Sequence, residues 1–143
     1  MQTTNDMIDY KVYIAGKLND DAVGYIKNVH NMIKTAREVR KLGYAVYVPC
    51  NDFLEGLVHG DFGYEDYFDN SQPWLCASDA VFLTPGWETS KGTLREIRLA
   101  EECDVPVFDN INQLKNYIND LKQGYGDTWF GYKFSEKAGL KFE

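Results

Sequence analysis

Two hydrophobic periods alternate along this chain, and the switches between them mark its elements. Tyr10 to Ala15 is a β-branched and aromatic run stopped by Gly16, which predicts a buried strand. Tyr25 to Leu42 changes to a spacing of three and four. Ile26, Val29, Ile33, Ala36, Val39 and Arg40 fall on one face of a helix, and Gly43 follows where a left-handed terminating residue belongs. Tyr44 to Val48 is a second strand, closed by Pro49. Residues 50–63 carry Gly56, Gly60 and Gly63 and predict a long loop, while 64–78 are helical in part, with Pro73 starting the helix that holds Trp74 and Leu75. Asp79 to Thr84 is a third strand and Thr93 to Cys103 its helix. Val105 to Phe108 is a short fourth strand, and Gln113 to Lys122 a last helix.

Strand–helix–strand order with short connections implies parallel βαβ units. The expected fold is α/β: a small, single-domain, doubly wound and mainly parallel sheet, flavodoxin-like or Rossmann-like, with helices on both faces. Residues 1–123 form that domain. Residues 124–143 are an aromatic extension, expected to pack on the domain or on a neighbouring subunit. Ligands of such sheets bind beyond the carboxyl ends of the strands. That rule gathers Gly16–Lys17, Pro49–Asp52 and Pro85–Gly92 at one edge.

Bulk properties narrow the function classes. With 143 residues one domain is expected, and a net charge of −7 disfavours a surface for polymeric nucleic acid. A pocket for one nucleotide needs only a few local donors. No apolar run of membrane-spanning length occurs, and the first six residues lack the basic and apolar regions of a signal peptide. The three cysteines, Cys50, Cys76 and Cys103, lie far apart in sequence and read as reduced thiols of a cytoplasmic protein. With two histidines and no paired-ligand spacing, neither a metal nor an organic cofactor is expected.

Residues 78–100 carry the candidate chemistry. A strand runs into a loop containing Pro85, Gly86, Ser90 and Gly92, and that loop opens a helix bearing Glu96. Free N–H groups and the positive end of a helix suit an anion such as phosphate. A carboxylate beside it can attack an anomeric carbon and form a glycosyl ester. The plain alternatives are a solvent-facing helix glutamate for Glu96, a helix cap for Ser90 and turn-forming roles for Gly86 and Gly92. Trp87 reads either as a base-stacking residue or as a packed loop tryptophan.

Tyr13-Ile14-Ala15-Gly16 after the first strand, Asp79-Ala80-Val81 in the third, and Gly92-Thr93-Leu94-Arg95-Glu96 with Ala100 resemble the nucleoside 2-deoxyribosyltransferase superfamily, which includes deoxynucleoside 5′-monophosphate N-glycosidases. Residues 85–93 are similar to a branch often encoded by phages. The resemblance implies double displacement at C1′ of a 2′-deoxyribosyl group, with Glu96 as nucleophile and Tyr13 holding it. It also implies Gly16 and Lys17 along the sugar pocket, Ser90 on a 5′-phosphate, and Asn51 and Asp52 framing the nucleobase. A homodimer or larger homo-oligomer is implied as well; the tail and the Tyr64–Phe68 cluster are the expected interface material, since Tyr, Trp and Phe are enriched at interfaces. One position departs from the pattern. The family places an aspartate eight residues before the acid that opens the third strand, and here Ser71 stands there. The nearest acid, Asp69, becomes the candidate to assist the leaving base. That departure keeps a second function class open, a nucleotide-binding protein without turnover. A third is an interaction protein that uses the aromatic tail.

Overall fold

The computed structural model describes residues 9–142 and shows the α/β fold expected from the chain pattern. The first six residues, read above for a signal peptide, lie outside the described range. Strands β1 (Lys11–Ala15), β2 (Ala45–Tyr47), β3 (Ala80–Leu83) and β4 (Val107–Phe108) form one parallel sheet in the order β2-β1-β3-β4. This is the flavodoxin-like order with one strand fewer. Helices α1 (Ala22–Arg40) and α5 (Ile111–Lys122) cover one face, packing on Val12, Ile14, Ala80, Phe82 and Phe108. Helices α3 (Tyr64–Cys76) and α4 (Lys91–Glu102) cover the other, on Tyr13, Ala15, Val81, Leu83 and Val107. Alternate residues of each strand thus feed opposite cores, as the two-residue pleat requires.

Several predicted details change. The segment 50–63 is not a loop: a 3₁₀ turn (Pro49–Asp52) leads into helix α2 (Phe53–His59). Its glycines misled the pattern because they serve packing and termination. A β-carbon at Gly56 would collide with the Tyr67 hydroxyl, and Gly60 ends α2 with φ of 80°. Pro73 does not start a helix but sits inside α3, which runs unbroken from Tyr64. Phe68 and Leu75, both buried, anchor α3 on either side of the lost hydrogen bond. On α1 the buried stripe is Met32, Ala36 and Val39, whereas Ile26 and Ile33 are 69% and 51% exposed. Two apolar stripes lie about a quarter turn apart on α1, and the sheet takes the one carrying Met32.

The cysteines are not all free. Cys76, at the end of α3, and Cys103, capping the end of α4, form a disulfide, and the buried Cys50 remains a thiol. Their 27-residue separation concealed two helices that lie side by side and finish at the same end. No helix among the described residues is long and apolar enough to cross a membrane.

The aromatic tail packs on its own domain. Trp129 meets Phe108 and Tyr117 edge-on, and its indole N–H donates to Asp120 at 2.7 Å. Helix α6 (Phe134–Lys137) buries Phe134 against Trp87 in the opposite core. Tyr132 touches both cores, so the tail wraps the β4 edge of the sheet and blunts it.

Candidate active site

The chain leaves β1 toward β2 on one side and then crosses back to β3 on the other. The loops after β1 and β3 therefore diverge and open a crevice at the carboxyl edge. A cavity of about 490 Å³ occupies it.

Its floor is built from β1 and α4. Tyr13 is fully buried on the α4 side of the sheet. Glu96 lies on the same inward stripe of α4 as Thr93, Ile97 and Ala100 and so points back at the sheet. The Tyr13 hydroxyl donates to Glu96 Oε2 at 2.6 Å. Burial raises the Glu96 carboxyl to about 7, against a smaller opposing effect of the Tyr13 hydrogen bond. Burial, and then the Glu96 charge, push the Tyr13 phenol well above its ordinary value, so Tyr13 remains a donor at every working pH.

A second tyrosine lies alongside. Tyr47 is the register partner of Tyr13 on the neighbouring strand, and their rings stack at 5.4 Å with 9° between planes. Trp74 of α3 stacks on Tyr47 at 6.0 Å. The Tyr47 hydroxyl donates to Asp52 Oδ2 at 2.8 Å. Burial and then that bond push the Tyr47 phenol upward.

Gly16, Lys17, Ser90, Lys91 and Gly92 line the cavity, the last three at the start of α4. Gly16 is buried where β1 and β3 part, and a β-carbon on it would collide with Thr84. Ser90 caps α4. Its Oγ accepts from the Thr93 amide at 3.1 Å and from the Thr93 hydroxyl at 2.9 Å. With both lone pairs taken, Ser90 meets a ligand as a donor, which suits an anion. Tyr25, Phe53, Phe62, Tyr67 and Phe68 add an aromatic lining. Arg95 of α4 is exposed and reaches α3. It pairs with Glu65 through Nη1 at 2.8 Å and lies 3.6 Å over the Phe68 ring, holding α3 against α4.

The structure brings Tyr13, Gly16, Lys17, Asp52, Ser90, Gly92 and Glu96 to one cavity. It leaves four other candidates out of the lining. Asn51 is exposed on the 3₁₀ turn. Gly86 is a left-handed turn residue with φ of 86°, and Trp87 is buried on Phe134 rather than open to a base. Asp69 projects from the exposed side of α3, while Ser71 is buried and lines the cavity. Pro73 does not reorient Asp69, because α3 passes through it unbroken.

Sequence reasoning missed Tyr47 and the aromatic lining of the cavity. The latter was legible as spacing: Tyr64, Tyr67, Phe68 and Ser71 repeat at three and four residues and share one helix face. All four line the cavity. Among the described residues no group of three or more His, Cys, Asp or Glu side chains converges as a metal site would.

A flavodoxin-like domain with a tyrosine-held glutamate in its switch-point cavity is the class that fold and site define. The chain belongs to the family described as Domain of unknown function (DUF4406), whose model matches residues 10–109. The matched stretch contains every residue that lines the cavity. No curated protein and no solved structure matches the chain.

Proposed function

We propose that this protein cleaves, or transfers across, the N-glycosidic bond of a 2′-deoxynucleoside 5′-monophosphate, through a covalent deoxyribosyl ester on Glu96. The observation that carries this is the Tyr13–Glu96 hydrogen bond of 2.6 Å inside the cavity. A carboxylate held by one neutral donor keeps lone pairs free for attack at C1′. The Tyr13 bond also orients the attacking oxygen, and the buried setting withholds competing water.

The shape of the cavity supports the substrate class. Two lysines, the Ser90 donor and the start of α4 line it, a suitable seat for a 5′-phosphate. The aromatic lining suits a planar base, and about 490 Å³ lies within the ordinary range for a small-molecule site. The reaction calls for no metal or organic cofactor, because the carboxylate itself forms the intermediate.

The test is chromatography of the purified protein with a panel of deoxynucleosides and their 5′-monophosphates, beside Glu96→Ala. Release of free base that disappears in the variant is expected. Retained release in Glu96→Ala refutes the proposal. A second reading, nucleotide binding without turnover, draws on the buried Ser71 hydroxyl where the resemblance calls for an aspartate. A thermal shift by one nucleotide with recovery of that nucleotide intact would favour it.

A further inference from the structure

The reaction proposed above needs more than a nucleophile: a departing base needs a proton, and the glycosyl ester needs an activated water. Asp69 lies outside the cavity and Ser71 offers only a hydroxyl. Among the described residues, Asp52 and Glu96 are the acidic side chains in the cavity lining.

Their settings match. Tyr13 and Tyr47 are register partners on adjacent parallel strands, their rings lie 5.4 Å apart and nearly parallel, and each hydroxyl donates to one carboxylate. Tyr13 holds Glu96 at 2.6 Å and Tyr47 holds Asp52 at 2.8 Å. Trp74 stacks on Tyr47 and fixes the outer tyrosine in place. The two tyrosines that hold the carboxyls are thus carried by neighbouring strands, which lie about 5 Å apart in any sheet, while Asp52 itself ends the 3₁₀ turn and Glu96 lies on α4. Two carboxyls in one cavity are the usual equipment of glycoside chemistry. Position separates their roles. Asp52 adjoins Phe53, whose ring meets Tyr25 at 5.0 Å, while Glu96 lies on α4, the helix that Ser90 caps.

We propose that Asp52, held by Tyr47, is the second carboxyl of the reaction, protonating the departing base and then deprotonating the water; this rests on the N-glycosidic activity proposed for Glu96. The cycle balances. The Glu96 oxygen bonds to C1′ as the C1′–N bond breaks, and the released electron pair on nitrogen takes the Asp52 proton. Water then attacks C1′, the ester bond returns its pair to Glu96, and Asp52 takes the proton of the water. One water is consumed, one base and one sugar leave, and both carboxyls are restored.

The test compares two substrates in wild type, Asp52→Asn and Tyr47→Phe. One substrate is the most active deoxynucleoside 5′-monophosphate of the panel. The other is 4-nitrophenyl 2-deoxyriboside 5-phosphate, whose nitrophenolate leaves without a proton. Asparagine still accepts from Tyr47, so a thermal melt close to wild type is expected. Asp52→Asn should lose about a hundredfold or more on the nucleotide. On the nitrophenyl substrate it should release a burst of about one equivalent at nearly the wild-type rate, and then turn over slowly as the ester accumulates. Tyr47→Phe retains the carboxyl and should fall between, with the same bias against the nucleotide. Equal losses on both substrates, without a burst, would overturn the role of Asp52 while leaving that of Glu96 intact. A wild type inert toward both would overturn the underlying reaction as well.

Discussion

Two glutamates on α4 show how surroundings divide one residue type into two roles. Glu101 receives the Ser135 amide at 2.9 Å and the Ser135 hydroxyl at 2.7 Å, one donor on each oxygen. Glu96, five residues earlier, receives one phenol on one oxygen and turns the other toward a cavity. The first has a donor on each oxygen, and both fasten the tail to the domain. The second is raised to about 7 by burial and has one donor from Tyr13. A donor on each oxygen makes a carboxylate a fastener, and a single donor at the wall of a cavity prepares it for chemistry.

Removing each carboxylate should break the comparison in opposite directions. Glu96→Gln is expected to cut turnover by on the order of a thousandfold or more. The same change should stabilise the fold. Because burial raises Glu96, the native state binds more protons than the unfolded chain between the ordinary carboxylate range and about 7. Wild-type stability therefore falls as pH rises through that window and levels off above it. Glu96→Gln removes the fall, gaining about 2 kcal/mol above pH 7 after allowance for partial exposure. Denaturant melts of both proteins at pH 5 and pH 8 measure the difference.

Tyr13→Phe sharpens the same contrast at smaller size. Loss of the Tyr13 donor on Glu96 should lower turnover by about tenfold to a hundredfold. Wild-type kcat/KM should rise through about pH 7 as Glu96 ionises. Without the Tyr13 bond, which lowers that value, the rise should move to higher pH. An unchanged profile would show that Glu96 is not the titrating group.

Glu101→Ala is the smallest case. Loss of both Ser135 bonds should cost about 2 kcal/mol in denaturant melts, with kcat and KM unaltered. A loss of turnover in this variant would tie the tail to the cavity and erase the distinction between the two glutamates.

Much of this arrangement is legible in the chain. Strand runs ended by Gly16 and Pro49, and the helix opened by Ser90, place Gly16, Lys17 and Glu96 at one edge, and the family resemblance adds Tyr13. What escaped was lateral. Tyr47 belongs to the site because parallel register sets it beside Tyr13, and no spacing within one segment reports a register between two. The Cys76–Cys103 bond escaped for the same reason, since helix ends meet in space and not in sequence. The glycines of 50–63 misled because a glycine needed for close packing, as at Gly56, looks the same as one that opens a loop.

The most direct test of the account is mass spectrometry of the protein quenched in acid during turnover of the active deoxynucleotide, followed by peptide mapping. The account predicts a 2-deoxyribosyl 5-phosphate adduct on the peptide containing Glu96, absent from Glu96→Gln. Steady release of base by wild type with Glu96→Gln equally active and no adduct on that peptide would contradict it.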